Sequence, residues 1–119
     1  IIWLNLDYQN LDSAAWQQIS LLSNLRKLSA KNSNLDDDKI IYFQTLDSLV
    51  SLNLVRTNVS LSGIEKIKNL QNLESIYLYQ TKTDKAGFKQ INQLFPKAKL
   101  DTGNYVVPIF ASDTTVFKL

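Results

Sequence analysis

One apolar skeleton recurs every 24 residues along this 119-residue chain, five times in register. Ile1, Leu25, Leu49, Leu73 and Lys97 open the repeats. Three residues later stand Leu4, Leu28, Leu52, Ile76 and Leu100, and two further on Leu6, Ala30, Leu54, Leu78 and Thr102. A period in this range is the signature of a solenoid, in which no unit can bury its apolar face alone and each must stack on its neighbours. A stacked array presents a surface and carries no obligatory chemistry. The repeat therefore constrains how the chain is built and where it would bind, and leaves the ligand open.

Residues 49–72 give one full unit: Leu49, Leu52, Leu54, Thr57 and Val59, followed by Ile64, Ile67 and Leu70. Its first half alternates at period two, so Leu52 and Leu54 point inward while Ser51, Asn53 and Val55 point outward, as in a short strand. Its second half places apolar residues three apart, at Trp16, Ile19 and Leu22, then Ile40, Phe43 and Leu46, Ile64, Ile67 and Leu70, and Phe88, Ile91 and Leu94. That spacing gathers them on one face of a short helix. Asp12, Asp36, Ser60 and Asp84 precede these segments at constant phase, and all are good N-cap types.

The pattern resembles the leucine-rich repeat, L-x-x-L-x-L-x-x-N-x-L, over residues 1 to about 107. The resemblance implies an α/β solenoid with a parallel sheet on its concave face and short helices on the convex face. Where the commonest pattern has Asn at its ninth position, this chain has Gln9, Ser33, Thr57 and Thr81. Those side chains can still bond backbone groups of the turn leaving the strand. The segments Leu52 to Ile64 and Ile76 to Phe88 are similar to a bacterial 24-residue subtype, [LI]-x-L-x-x-T-x-[VT]-[SD]-x-x-G-[IF]. Gly63 and Gly87, with Ala15 at the same phase, are expected to let the adjacent coil approach the first helical turn, and Lys39 breaks that rule.

The skeleton decays toward the C-terminus. Pro96 stops the last helix, Lys97 and Thr102 replace core leucines, and Tyr105 takes a ladder position. Four full repeats and a fifth strand thus occupy 1–107. Residues 108–119, with Ile109 and Phe110, are expected to cap the open end, the alternative being a linker. The chain opens at Ile1 within a strand and has no initiating Met. It is expected to be a piece of a longer protein, with further repeats or another domain upstream.

Composition narrows the function classes. Net charge is +2 with acidic and basic residues interspersed, so neither nucleic acid nor an anionic membrane is indicated as partner. No run of about 18 apolar residues is present that could insert in a membrane. The absence of Cys and His removes disulfides, thiolate ligands and the commonest base and metal ligand. It also disfavours the Cys-rich capping of secreted animal receptors. The sequon Asn58-Val59-Ser60 falls in the turn before a helix cap and reads as structural. Asp36, Asp37 and Asp38 lack calcium-loop spacing and sit at a helix start, where the dipole favours negative charge. With no His base and no phosphate loop, the chain is expected not to be an enzyme.

The outward positions of the strands remain. Equivalent residues on neighbouring strands lie about 4.8 Å apart and form lateral rows. These run Asn5, Ser29, Asn53, Tyr77, Asp101; then Asp7, Lys31, Val55, Tyr79; then Tyr8, Asn32, Arg56, Gln80. Tyr, Trp and Arg are enriched at interface hot spots. Trp3, Tyr8, Lys31, Arg56, Tyr77 and Tyr79 are therefore the candidate partner-binding residues, for a protein or a glycan. The competing reading is a spacer, in which the aromatics merely suit strands and Asp7 pairs with Lys31 across them.

A finer resemblance concerns the run Leu78 to Gly87, followed by Leu94-Phe95-Pro96 and Gly103. It looks like the C-terminal repeats of large Bacteroidetes and planctomycete envelope proteins, which often carry a c-type-cytochrome-like domain and membrane helices upstream. That likeness implies an extracytoplasmic or cell-envelope address, a docking role, and haem elsewhere in the parent chain. Cys-x-x-Cys-His is absent from this sequence, so no cofactor is expected in this fragment.

Overall fold

The computed structural model describes residues 2–103. The fifth-repeat residues from 104 onward, including Tyr105, and the expected cap at 108–119 lie outside them. Five three-residue strands, β1 (Trp3–Asn5), β2 (Lys27–Ser29), β3 (Ser51–Asn53), β4 (Ser75–Tyr77) and β5 (Lys99–Asp101), form one parallel sheet in chain order. The register equals the sequence period: Leu4 faces Leu28, Leu28 faces Leu52, Leu52 faces Ile76 and Ile76 faces Leu100. Each coil thus returns to the same height beside its predecessor, and the apolar skeleton becomes continuous ladders. Leu25, Leu49 and Leu73, then Leu28, Leu52 and Ile76, then Ala30, Leu54 and Leu78, are buried. The segments opposite the sheet bury Trp16, Phe43, Ile64 and Ile91 against these ladders. Trp16 and Phe43 meet at 6.1 Å between ring centres, tilted by 55°.

Those opposite segments are not alike. Helices α1 (Ser13–Ile19), α2 (Leu61–Glu65) and α3 (Lys85–Leu94) are α-helical, while Ile40–Thr45 is a 3-10 helix. The α-helix expected in the second repeat is therefore corrected to the tighter form, as shown by the bond from Leu46 N–H to Phe43 C=O at 2.9 Å. Its run Ile40-Ile41-Tyr42-Phe43 consists of branched and aromatic types that crowd the preceding helical turn. The longest helix, α3, has two Lys, two Gln and one Ala, which do not.

The caps divide the same way. Asp12 accepts from Ala15 N–H at 2.9 Å and Asp84 from Gly87 N–H at 2.8 Å, as the spacing predicts. Asp36 accepts from the N–H groups of Asp38 and Lys39, both at 3.1 Å, and also meets the Lys39 ammonium at 3.1 Å. Ser60 makes no side-chain cap. Its hydroxyl donates instead to the Asp37 carboxylate of the preceding coil, which also accepts the Ser60 N–H at 2.7 Å. Two of the three clustered aspartates are thus committed to backbone groups, and the tie across coils, rather than a helix dipole, explains Asp37.

Gly63 is where two coils approach closely. A β-carbon there would run into the Asp37 carboxylate and stand 3.2 Å from Ile40 Cγ2. Gly87 differs from the expectation: its tight neighbours are Thr83 and Asp84 in its own cap loop, with Leu61 of the preceding coil at an ordinary 3.7 Å.

Candidate interaction surface

Each of the first four strands ends in a four-residue turn of one form. Gln9, Ser33, Thr57 and Thr81 donate their N–H groups to Leu6, Ala30, Leu54 and Leu78, each at 3.2 Å. The third residues of these turns, Tyr8, Asn32, Arg56 and Gln80, have φ of 65°, 56°, 58° and 56°. Positive φ at that position is the mark of a type II turn. None is glycine, and the left-handed conformation costs roughly 1–2 kcal/mol per residue. What holds it is a peptide ladder running along the array. Tyr8 N–H donates to Lys31 C=O at 2.8 Å, Asn32 to Val55 at 3.0 Å and Arg56 to Tyr79 at 2.9 Å. Leaving such groups unpaired would cost about 1–3 kcal/mol each where they are buried.

The ninth-position side chains reinforce the same turn. The hydroxyls of Ser33, Thr57 and Thr81 donate to Ala30, Leu54 and Leu78 carbonyls at 2.6, 2.8 and 2.9 Å. Asn34, one position later, holds the first two coils together. Its amide takes both Leu11 N–H and Leu11 C=O, at 3.0 and 2.7 Å, and its oxygen also accepts from Trp16 Nε1 at 3.1 Å.

The outer face of the sheet carries a shallow groove of about 270 Å³. Asn5, Ser29 and Asn53 form its floor, Trp3, Lys27 and Ser51 one side, and Tyr77 stands at its far end. Trp3 is 64% exposed. Much of the floor is engaged with its own backbone. Asn5 accepts from Asp7 N–H at 2.8 Å and Asn53 from Val55 N–H at 3.0 Å, and outside the groove Asp101 accepts from Gly103 N–H at 3.0 Å. In the second coil Asp7 performs this service from the neighbouring turn, accepting Lys31 N–H at 2.9 Å and the Ser29 hydroxyl. Asp7 and Lys31 do meet, but through the Lys31 main chain.

Of the six candidate residues, the groove unites Trp3 and Tyr77. Tyr8, Lys31, Arg56 and Tyr79 lie beyond the strand ends, in the turns, so two of the expected strand rows are rows of turn residues. Tyr8 is 69% exposed. Arg56 donates its Nε–H to Gln80 Oε1, one coil along. The Tyr79 ring lies over the α-carbon of Gly103, where a β-carbon would collide with it and where φ is +70°. Tyr79 therefore packs the end of the array as well as facing outward. The outward row Trp3, Lys27, Ser51, Ser75, Lys99 is picked out by the sequence only at Trp3 and Ser51. Its signal was present, since those residues alternate with the core ladder at period two.

A five-stranded parallel sheet of in-register 24-residue coils, backed by short helices, decides the architecture. The chain has the leucine-rich repeat fold. A leucine-rich repeat protein of Leptospira interrogans superposes with a TM-score of 0.58 at 24% identity, over 71% of this chain and 21% of that one. The chain thus spans about a fifth of that protein's length. A chain of the Chaetomium Mex67:Mtr2 structure matches with a TM-score of 0.69 at 18% identity, covering 87% of this chain and 81% of the other. No family profile and no curated protein matches the sequence. Among the described residues of this leucine-rich repeat array no helix is long and apolar enough to cross a membrane, and no group of three acidic, His or Cys side chains converges.

Proposed function

We propose that this leucine-rich repeat array is a non-catalytic interaction module that takes a protein partner on the outer face of its sheet. The fold supports a protein-interaction role in general, because the array offers a broad sheet face and, among the described residues, no converging group of three acidic, His or Cys side chains. One observation carries the choice of face: an exposed Trp3 and the Tyr77 ring border a polar groove across four strands. Aromatic anchors beside hydrogen-bonding groups are what interface hot spots are made of. The reading extends to the larger envelope protein implied by Leu78 to Gly87, with a cytochrome-like domain upstream and an extracytoplasmic address. That extension rests on the motif, and the reading frame flanking this segment tests it.

A photo-crosslinking amino acid placed at Tyr77, and separately at Lys89 of α3, tests the choice of face. Capture of the same partner from the source cells at Tyr77 but not at Lys89 is the expected result. Equal capture at both sites would overturn the choice of face, and capture at neither would favour a spacer. The spacer reading has its own support, because Asn5, Asn53 and Asp7 each commit a side-chain oxygen to the chain's own backbone. A glycan partner would be revealed by periodate-sensitive capture.

A further inference from the structure

The turn after each strand presents one N–H to the outer face, at Asp7, Lys31, Val55, Tyr79 and Gly103. In four of the five coils a side-chain oxygen accepts it: Asn5, Asp7, Asn53 and Asp101 serve the first, second, third and fifth. The fourth coil alone breaks the rule. Tyr77 stands where Asn5, Asn53 and Asp101 stand, and it has no oxygen that can fold back to the turn. The preceding coil offers Val55 where Asp7 stands, which has no acceptor either. Among the described residues no group accepts the Tyr79 N–H.

An outward-facing backbone donor beside an aromatic ring is a place for a ligand oxygen, since backbone N–H groups are obligatory donors. Its surroundings give that oxygen a charge. Arg56 lies in the adjacent turn, tied through Nε to Gln80, and its other guanidinium N–H groups donate to no described residue. Across the strand and turn faces Lys27, Lys31, Arg56 and Lys99 outnumber Asp7 and Asp101. Both aspartates already accept backbone N–H groups. We propose that the Tyr79 N–H and the Arg56 guanidinium together bind a carboxylate of an acidic, extended peptide segment of a partner protein, which crosses the strands with the Tyr77 ring beneath it. The proposal rests on the interaction-module reading and names the partner chemistry of the same face.

Selection from a random library of 12-residue peptides on the full chain, followed by titration of the enriched peptides, tests it. The enriched sequences are expected to be rich in Asp and Glu, to bind more weakly as salt rises, and to move the Tyr79 amide resonance downfield. Variants at Tyr77 isolate the N–H. Tyr77→Ala removes the ring only, whereas Tyr77→Asn removes the ring and restores the internal acceptor used by the first and third coils. Tyr77→Asn is expected to bind about tenfold more weakly than Tyr77→Ala while unfolding at no lower urea concentration, the size of effect a charge-assisted hydrogen bond allows. Equal binding by the two variants, an unmoved Tyr79 amide, or enrichment of basic or uncharged peptides would each overturn the proposal. If peptides bind at the groove by another chemistry, the interaction-module reading survives and the carboxylate site falls. If nothing is enriched but acidic oligosaccharides bind, the occupant is a glycan and the proposal is wrong.

Discussion

The strand-and-turn half of each coil and the half that returns behind the sheet obey different rules. The first is nearly invariant. Five strands of three residues pair at one register, and the turns repeat a left-handed residue whether it is Tyr, Asn, Arg or Gln. The second varies from a six-residue 3-10 helix at Ile40–Thr45 to a ten-residue α-helix at Lys85–Leu94. Different forces set the two halves. Hydrogen bonds between coils dictate the backbone of the sheet side, and every residue except proline can supply them, so outside the buried ladder positions side-chain identity has little authority there. Behind the sheet the helical segments make their backbone-to-backbone hydrogen bonds within each coil, side chains such as Asp37 supply the ties between coils, and local composition decides each segment's form.

The largest effect should come from the invariant half. Leu52 is fully buried at the centre of its ladder, and Leu52→Ala is expected to cost about 2–5 kcal/mol in a urea titration. No loss of stability would mean that the ladder does not hold the coils together. Next comes the point where the variable half is itself bound between coils. Gly63→Ala must displace the Asp37 carboxylate and is expected to cost about 1–3 kcal/mol. The cost should shrink when Asp37 is also Ala, and a double-mutant cycle with no coupling would show that the close approach is not what selects glycine.

A smaller effect sharpens the claim that composition and capping govern the helical side. Asp84 caps α3 through Gly87 N–H, and Asp84→Ala is expected to lose about 1 kcal/mol together with helical circular dichroism. Full stability without that side chain would mean that packing of Phe88 and Ile91 suffices to start the helix.

The same division explains what could be read from the sequence. Strand positions, core ladders and register followed from the 24-residue period, because burial at period two writes itself into residue type. The caps at Asp12 and Asp84 were legible for the same reason. The second-repeat helix was misread because Ile40, Phe43 and Leu46 keep a spacing of three, which suits a 3-10 helix as well as an α-helical face. Tyr8 and Arg56 were placed in strand rows because nothing in a Tyr or an Arg announces positive φ. That conformation is imposed by the neighbouring coil, and only its recurrence every 24 residues makes it visible. The role of Asn34 was illegible in the same way, since its partners lie 23 and 18 residues away. The candidate site shared that fate: Trp3 and Tyr77 were named as residue types, but the groove between them depends on how four strands stack.

The smallest effect probes the most distinctive claim, that the turn conformation is imposed against residue preference. Gln80 is exposed, with φ of 56°. Glycine adopts this conformation freely, so Gln80→Gly should recover part of the roughly 1–2 kcal/mol that a left-handed residue costs. Against this stands the greater backbone freedom that glycine adds to the unfolded chain, about 0.5–1 kcal/mol. The net expectation is a gain of about 0.5 kcal/mol in a urea titration, whereas Gln80→Val, branched at the β-carbon, should lose stability. Equal stabilities for the Gly and Val variants would mean that this turn relaxes away from positive φ in solution. The peptide ladder would then be weaker than the strand pairing it continues, and the invariant half of the coil would end at the strands.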